Sequence, residues 1–242
     1  MIIESYYYII WVAAFFTAVV SATVGMLGGT LILAVMAQYL KMEVLIPIHG
    51  LIQFTSNSSR AWFIRDAINW KISRECLLGI IIGSVAGSFF VIRIEESFYN
   101  IFLGVFILTI TFIPKFKLPL PKTIRWVGLG FISSFIGLFL GAVGVFVGAV
   151  FLSEKLPKRE LVATQATVQL AVHLAKVIVF TTLGFVIWPW LTLLLGALVC
   201  TSLGSFVGSK LLDKIPEKLF RAGLTVLIVI LGLRLIYSGF RL

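Results

Sequence analysis

The chain is a succession of apolar runs, and two of these runs are interrupted near the middle by glycines. The first run covers 9–40 and contains Gly25-Met26-Leu27-Gly28-Gly29, and the second covers 126–152 and contains Gly141-Ala142-Val143-Gly144. Each run is longer than the roughly 20 residues of one membrane helix. Glycine is among the residues that most weaken a helix interior. The pattern therefore predicts two helical arms in each broken segment.

The two broken segments belong to an internal repeat in which equivalent residues are 116 positions apart. Gly25 pairs with Gly141, Gly28 with Gly144, and a later glutamine with a second glutamine at the same separation. Each broken segment is followed by three more predicted spans, near 44–63, 73–93 and 98–114 and then near 160–183, 187–210 and 219–239. We predict one membrane domain over 1–242, made of repeat one (1–114), a linker (115–122) and repeat two (123–242).

The span that follows each broken segment carries a polar stripe. The two stripes have the same spacing and are again 116 residues apart: His49, Gln53, Asn57 and Arg60 in the first, Gln165, Gln169, His173 and Lys176 in the second. At 3.6 residues per turn each stripe lies on one helix face. Polar groups are costly in hydrocarbon, so such a face should look into the protein or a hydrated path. A single polar residue often only ties helices together, but the duplication favours contact with a ligand.

Composition and charge narrow the class of protein. The chain is 60% hydrophobic with a mean hydropathy of +1.10, which excludes a water-soluble domain of this length. The net charge of +10 does not indicate a nucleic-acid partner, because the basic residues lie between apolar spans. Cys76 and Cys200 are 124 residues apart in different spans, so we expect no metal site, disulfide or other cofactor.

The positions of the basic residues decide between two topologies, since cytoplasmic loops carry the excess of lysine and arginine. Fifteen of the 20 basic residues lie in four loops, 60–74, 115–125, 153–160 and 210–221. If each broken segment crosses the membrane once, two of these loops face the opposite side from the other two. If each is a helical hairpin, all four share one face. We therefore predict an all-α polytopic membrane protein with two inverted-topology repeats, cytoplasmic basic loops and external termini.

The hairpin topology gives the glycines a chemical role. The second arm of each hairpin begins at the break, so its positive N-terminal end points into the protein and can bind an anion. Broken helices at equivalent places of two halves mark transporter binding sites near the midplane. The predicted substrate-binding residues are Gly25, Gly28, Gly29, His49, Gln53, Asn57, Gly141, Gly144, Gln165, Gln169, His173 and Lys176. The alternatives are that the glycines serve helix packing and that Lys176 extends toward the membrane surface. Arg60 is expected at the cytoplasmic rim.

These residues resemble the TauE/SafE sulfite exporter family of anion permeases. The similarity rests on 25–29 with the polar helix after it, on Asn69-Trp70-Lys71, and on second-half residues that repeat the pattern: Gly137, Gly141, Gly144, Val162-Ala163-Thr164 and Gly184. It covers almost the whole chain and implies a transporter of sulfur-containing or carboxylated anions in a bacterial or archaeal cell membrane. Met26 and Leu27 stand where the family usually has more glycine.

We predict a secondary transporter of a small anion such as sulfite or an organosulfonate, working by alternating access. An anion channel and a carboxylate transporter on the same fold are the alternatives. Protons are candidate coupling ions because a histidine near the midplane titrates near neutral pH. Lipid is the other expected partner, and the oligomeric state is left open. An enzyme is not expected, because the chain has no H-E-x-x-H motif and no paired intramembrane aspartates.

Overall fold

The computed structural model describes residues 4–25, 27–90, 96–112, 120–141, 143–152, 154, 156–212, 214, 226, 229–230 and 232–240, and no strand occurs among them. The helices are α1 (Ser5–Val24), α2 (Gly28–Met36), α3 (Met42–Phe63), α4 (Trp70–Ser88), α5 (Glu96–Phe112), α6 (Lys122–Leu140), α7 (Gly144–Leu152), α8 (Lys158–Thr182) and α9 (Leu191–Leu211). Residues 232–239 are also helical. The proline-rich linker and most of the last predicted span lie outside the described residues.

Both broken segments divide at the predicted glycines. Helix α1 ends at Gly25, whose φ is 80° and whose N–H donates to the Ser21 carbonyl at 2.9 Å. Helix α6 ends at Gly141, whose φ is 77° and whose N–H donates to the Gly137 carbonyl at 3.2 Å. A left-handed residue after the last helical turn is strongly favoured by glycine, which has no Cβ to clash. The prediction of two arms in each segment is confirmed.

The first broken segment is a hairpin. Helix α2 starts beside the end of α1, since a Cβ added to Gly28 would lie 2.1 Å from both the Thr17 carbonyl oxygen and Ser21 Oγ. Beyond the other end of α2, the ring of Tyr39 stacks on Tyr6 near the start of α1, with centroids 5.8 Å apart. Helix α2 therefore runs back along α1. Its nine residues rise only about 13.5 Å, less than half of a bilayer.

Contacts among the described residues bring the four basic loops, as far as the structure describes them, to one end of the molecule. Two contacts join the halves, Arg159–Asp66 (3.1 Å) and Thr123–Glu75 (3.1 Å), and two lie within the second half, Arg125–Glu154 (2.5 Å) and Lys158 to the Leu212 carbonyl. An arrangement in which each broken segment crosses once would place Arg159 and Asp66, and likewise Arg125 and Glu154, on opposite sides of the membrane. The contacts exclude that arrangement for the described part of the chain.

The two halves pack on each other in equivalent ways. Helix α4 of the first half packs on α6 of the second, and α9 of the second half packs on α1 of the first. Both contacts use glycine for close approach, because a Cβ on Gly79 would lie 1.9 Å from the Val127 carbonyl oxygen and one on Gly204 would lie 2.3 Å from that of Phe15. Helices α3 and α8, which carry the polar stripes, pack against each other between these pairs.

The apolar residues form two cores and an outer surface. One core surrounds the first hairpin and includes Ile10 and Leu31, and the other surrounds the second hairpin and includes Trp126 and Phe151. The stripe side chains belong to neither core. On the outside, α4 and α9 expose large apolar side chains such as Leu78, as expected for a surface in contact with lipid.

Among the described residues, four helical stretches have the length and apolar composition needed to cross a membrane. They are Ser5–Thr23, Lys122–Leu140, Lys158–Thr182 and Trp188–Leu211.

Candidate anion-binding site

A small polar cavity lies where the two hairpin tips meet the two stripe helices. Its volume is about 20 Å³, room for about one or two waters. It is lined by Ser21, Gly25, Leu27, Gly29, His49, Gln53, Asn57, Arg60, Gly144, Gln165, Gln169 and His173. Nine of the twelve predicted site residues are therefore brought together. That they bind an anion stays a prediction.

The stripes face each other in antiparallel register. The rings of His49 and His173 are in edge contact, with centroids 5.5 Å apart. Facing residues on antiparallel helices advance in opposite directions, so one turn away Gln53 and Gln169 form the next facing pair. These two glutamines are also equivalent in the repeat, and both line the cavity. The two glutamines therefore occupy symmetric positions on α3 and α8.

The tip of the first hairpin contacts the first stripe. His49 Nε2 lies 2.9 Å from the Gly29 carbonyl oxygen, and because a carbonyl only accepts, this nitrogen carries the proton and donates. A Cβ added to Gly29 would lie 3.4 Å from Gln53 Oε1. Leu27, the N-cap residue of α2, makes no side-chain cap, so among the described residues the first N–H groups of α2 have neither an intrahelical partner nor a cap from this position.

The tip of the second hairpin contacts the second stripe. Gln165 Nε2 donates to the Gly144 carbonyl oxygen at 3.3 Å. A Cβ added to Gly144 would lie 3.4 Å from Gln169 Nε2, and no other described atom beyond its chain neighbours and its own helix backbone would lie within 4 Å. The N-terminal ends of α2 and α7 thus both reach the cavity, which gives it two sources of positive partial charge.

Leu27 lines the cavity in a strained backbone conformation. Its φ is 76°, in the left-handed region that side chains with a Cβ rarely adopt, and it directly precedes α2. Such a residue costs on the order of 1–3 kcal/mol and persists only where its surroundings enforce it. Leu27 is buried in the core around the first hairpin, and packing there holds it in this conformation.

Unpaired buried polar atoms are concentrated around the cavity. Of nine such side-chain atoms among the described residues, six belong to residues that line it: His49 Nδ1, His173 Nδ1, Arg60 Nε, Gln165 Oε1 and both amide atoms of Gln169. Gln169 is only 4% exposed. Buried polar groups nearly always have hydrogen-bond partners, so this cluster indicates a site completed by a polar ligand or by water. The described residues contain no group of three His, Cys, Asp or Glu side chains that could hold a metal ion.

The two cations of the stripes are buried without a carboxylate. Arg60 is 3% exposed and donates through Nη2 to Asn57 Oδ1, while Lys176 is 1% exposed and donates to the Gly141 carbonyl. In the described part of the chain, neither cation forms an ion pair with an acidic side chain. Buried charges are costly unless they are paired. The region therefore has the electrostatics of an anion site.

Three predicted residues do not line the cavity: Gly28, Gly141 and Lys176. Gly28 is packed against α1, and Gly141 lies against Leu33, whose Cδ1 would be 2.9 Å from an added Cβ. An added Cβ on Gly28 would meet α1 and not the cavity, and the approach of a ligand to the backbone there stays a prediction.

The sequence interpretation missed three lining residues: Ser21, Leu27 and Arg60. Arg60, expected at the cytoplasmic rim, is in the last turn of α3, and its side chain is buried and lines the cavity. The place of Arg60 on the first polar stripe was the sequence signal that could have identified it as a lining residue. Ser21 lies four residues before Gly25 and so one turn from the break. No pattern indicated Leu27.

The loop after α3 makes several contacts with the start of α8 at the basic end of the molecule. Asn69 accepts from the Ile72 N–H at the start of α4, donates through Nδ2 to Glu160 at 2.9 Å, and donates its own N–H to Thr164 Oγ1 at 2.9 Å. Nearby, the hydrogen bonds from Arg159 hold the pKa of the exposed Asp66 carboxyl below its ordinary value. These contacts tie the loop after α3 to the start of α8.

Comparison with known proteins identifies the family to which the chain is related. The family model described as Sulfite exporter TauE/SafE matches residues 10–235 of the 242. The match includes both hairpins and both stripe helices, so the resemblance drawn from the sequence is confirmed. No curated protein and no solved structure matches the chain.

Proposed function

The chain belongs to the Sulfite exporter TauE/SafE family, and from this premise we propose that it is a secondary transporter of a small, sulfur-containing anion. Sulfite and organosulfonates are the proposed substrates. TauE/SafE is a transporter family, and the apolar helices fit a membrane protein. We further propose that it lies in the cell membrane with the basic loops cytoplasmic and the termini outside, following the positive-inside rule.

One observation carries the proposal: the cavity collects donors and positive charge but no carboxylate among the described residues. Gln169 Nε2 is buried without a partner, Arg60 is buried without an ion pair, and two helix N-termini reach the same space. An oxyanion accepts several hydrogen bonds at once and would supply what these groups lack. Neutral amides donate without adding charge, which suits binding that must be reversed in each cycle.

The pairing of the helices supports alternating access as the mechanism. Contacts of α1 with α9 and of α6 with α4 are equivalent under the repeat, which is what two inverted repeats related by a pseudo-two-fold axis would give. Transporters of this kind move one repeat against the other around a fixed midplane site. The cavity volume of about 20 Å³ is too small for sulfite and its hydration. Binding would then require the hairpin tips to move apart.

Ligand-induced thermal stabilisation of the purified protein tests the proposal. We expect sulfite, thiosulfate or sulfoacetate to raise the unfolding temperature, since ligand at about 100 times its Kd stabilises by about 2.7 kcal/mol. Dicarboxylates test the carboxylate alternative in the same screen. Counterflow of labelled anion in proteoliposomes then separates the transporter from a channel, and the pH dependence of uptake reports whether protons are coupled. Absence of stabilisation by every anion would contradict the proposal.

A further inference from the structure

We propose that Arg60 selects the charge and shape of the transported anion, whereas the equivalent residue Lys176 positions the second hairpin tip. This inference rests on the proposed function and assigns different roles to two cations that the repeat makes equivalent. Arg60 lies in the last turn of α3, lines the cavity and is 3% exposed. Lys176 is buried one turn beyond His173 and does not line the cavity.

A second buried arginine shows what a structural arginine looks like in this protein. Arg125 forms an ion pair with Glu154 at 2.5 Å, and the two side chains are only 10% and 11% exposed. Arg60 is more deeply buried and has no such carboxylate among the described residues. The Nε atoms of both arginines are unpaired, so the missing carboxylate is what distinguishes Arg60. A buried guanidinium of this kind needs an anion to neutralise it.

The polar neighbours of Arg60 fix its guanidinium at the cavity. Asn57 Nδ2 donates to the Gln53 carbonyl at 2.7 Å and approaches Gln53 Oε1 at 3.5 Å. The oxygen of the same amide, Asn57 Oδ1, accepts a hydrogen bond from Arg60 Nη2. A guanidinium has five N–H donors in a planar fork, and the Nε of Arg60 is buried without a hydrogen-bond partner among the described residues. This fork matches two oxygens of one sulfonate, sulfite or carboxylate group better than it matches a monatomic halide.

Lys176 is engaged differently. Its Nζ donates to the carbonyl of Gly141, at the C-terminal end of α6 where the helix dipole favours a cation. Its stem is packed on α3, because a Cβ added to Gly50 would lie 3.0 Å from Lys176 Cδ. Both observations make Lys176 a positioning residue that joins the second hairpin to the stripe helices.

Four variants of the full-length protein test this assignment: Arg60→Gln, Arg60→Lys, Lys176→Gln and Arg125→Gln as the matched structural control. The probes are sulfite and chloride, with affinity measured by calorimetry and unfolding temperature measured without ligand. Arg60→Gln should weaken sulfite binding roughly ten- to a hundred-fold, as expected for loss of a charged hydrogen bond. Arg60→Lys should recover part of this affinity but lose preference for sulfite over chloride. Lys176→Gln and Arg125→Gln should mainly lower the unfolding temperature of the ligand-free protein. Their effect on the affinity for sulfite should be small.

The outcomes separate this inference from the proposed function. If Arg60→Gln binds sulfite like the wild type, or Lys176→Gln loses as much affinity at unchanged stability, the inference is overturned while the transport proposal stands. If Arg60→Gln does not fold, the sulfite-to-chloride preference of Arg60→Lys decides, and an unchanged preference overturns the assignment. If the wild type binds no anion in the earlier screen, the proposed function fails and this inference fails with it.

Discussion

The two hairpin tips are equivalent in sequence but meet the cavity differently. In the first hairpin, Gly28 packs against α1, and the next residue, Gly29, faces Gln53. In the second hairpin, Gly144, the equivalent of Gly28, itself faces Gln169. Both tips thus reach the same cavity. The glycine that faces a stripe glutamine, however, differs by one position between the two repeats.

The stripes show where equivalence is kept and where it is lost. Gln53 and Gln169 occupy facing, equivalent positions on α3 and α8, and both line the cavity. Arg60 and Lys176 lie seven residues further along their helices and have different partners. The equivalence of the two stripes is therefore kept at the glutamines and lost at the cations.

The largest expected effect concerns the sidedness of equivalent loops. With Cys76 and Cys200 replaced by alanine, Lys71→Cys and Lys158→Cys should react with an impermeant maleimide only after cells are permeabilised. Lys41→Cys, at the other end of the molecule, should react in intact cells. All three residues are exposed, so the contrast reports the side of the membrane. Labelling of positions 71 and 158 from opposite sides would contradict the hairpin topology.

The glycines of the two tips should differ in whether they affect folding or binding. Gly28→Ala should destabilise the protein by about 3 kcal/mol, the upper end for overpacking, because its Cβ would lie 2.1 Å from a backbone oxygen. Gly144→Ala should fold nearly normally and weaken anion binding several-fold, since its methyl group enters the cavity beside Gln169. Thermal unfolding and anion titration of both variants check this. Equal stability losses would show that both tips are packing contacts.

The glutamine pair offers a smaller contrast. Gln169→Leu removes a buried amide without partners and should stabilise the ligand-free protein by about 1 kcal/mol, whereas Gln53→Leu should not, since Gln53 Oε1 has Asn57 within 3.5 Å. Both variants should weaken anion binding by about 1–3 kcal/mol, roughly five- to over a hundred-fold. Unchanged affinity in both would remove the glutamines from the site.

The smallest effect concerns the loop after α3, which has an acidic residue that its second-half equivalent, Thr182, lacks. Because Arg159 lowers the pKa of Asp66 below the ordinary 3.8, their interaction stabilises the fold above that value and is lost as pH falls through the lowered pKa. Asp66→Asn should therefore be slightly less stable than the wild type at neutral pH, and the difference should vanish in strong acid. Thermal unfolding across pH measures it, and a difference that persists in acid would exclude this ion pair as its cause.

The repeat, the breaks and the polar stripes could be read from the sequence because they depend on local rules. Glycine weakens a helix interior, so Gly25 and Gly141 mark the breaks in runs too long for one membrane helix, and a polar stripe of constant spacing lies on one helix face in any context. The helices that the structure describes follow these signals closely. The basic residues likewise indicated which loops share one end of the molecule, since membrane insertion sorts charge by loop.

The sequence by itself determined the membrane class, the two hairpins and the two polar faces, since these follow from periodicity and hydrophobicity along the chain. Only the tertiary structure decided which residues share the cavity. Gly28, a predicted site residue, packs against α1 and does not line the cavity, whereas Arg60, which was not among the predicted site residues, does line it. Such assignments depend on distances between segments more than 100 residues apart, as with Gly25 and Gln165, which a local pattern does not encode.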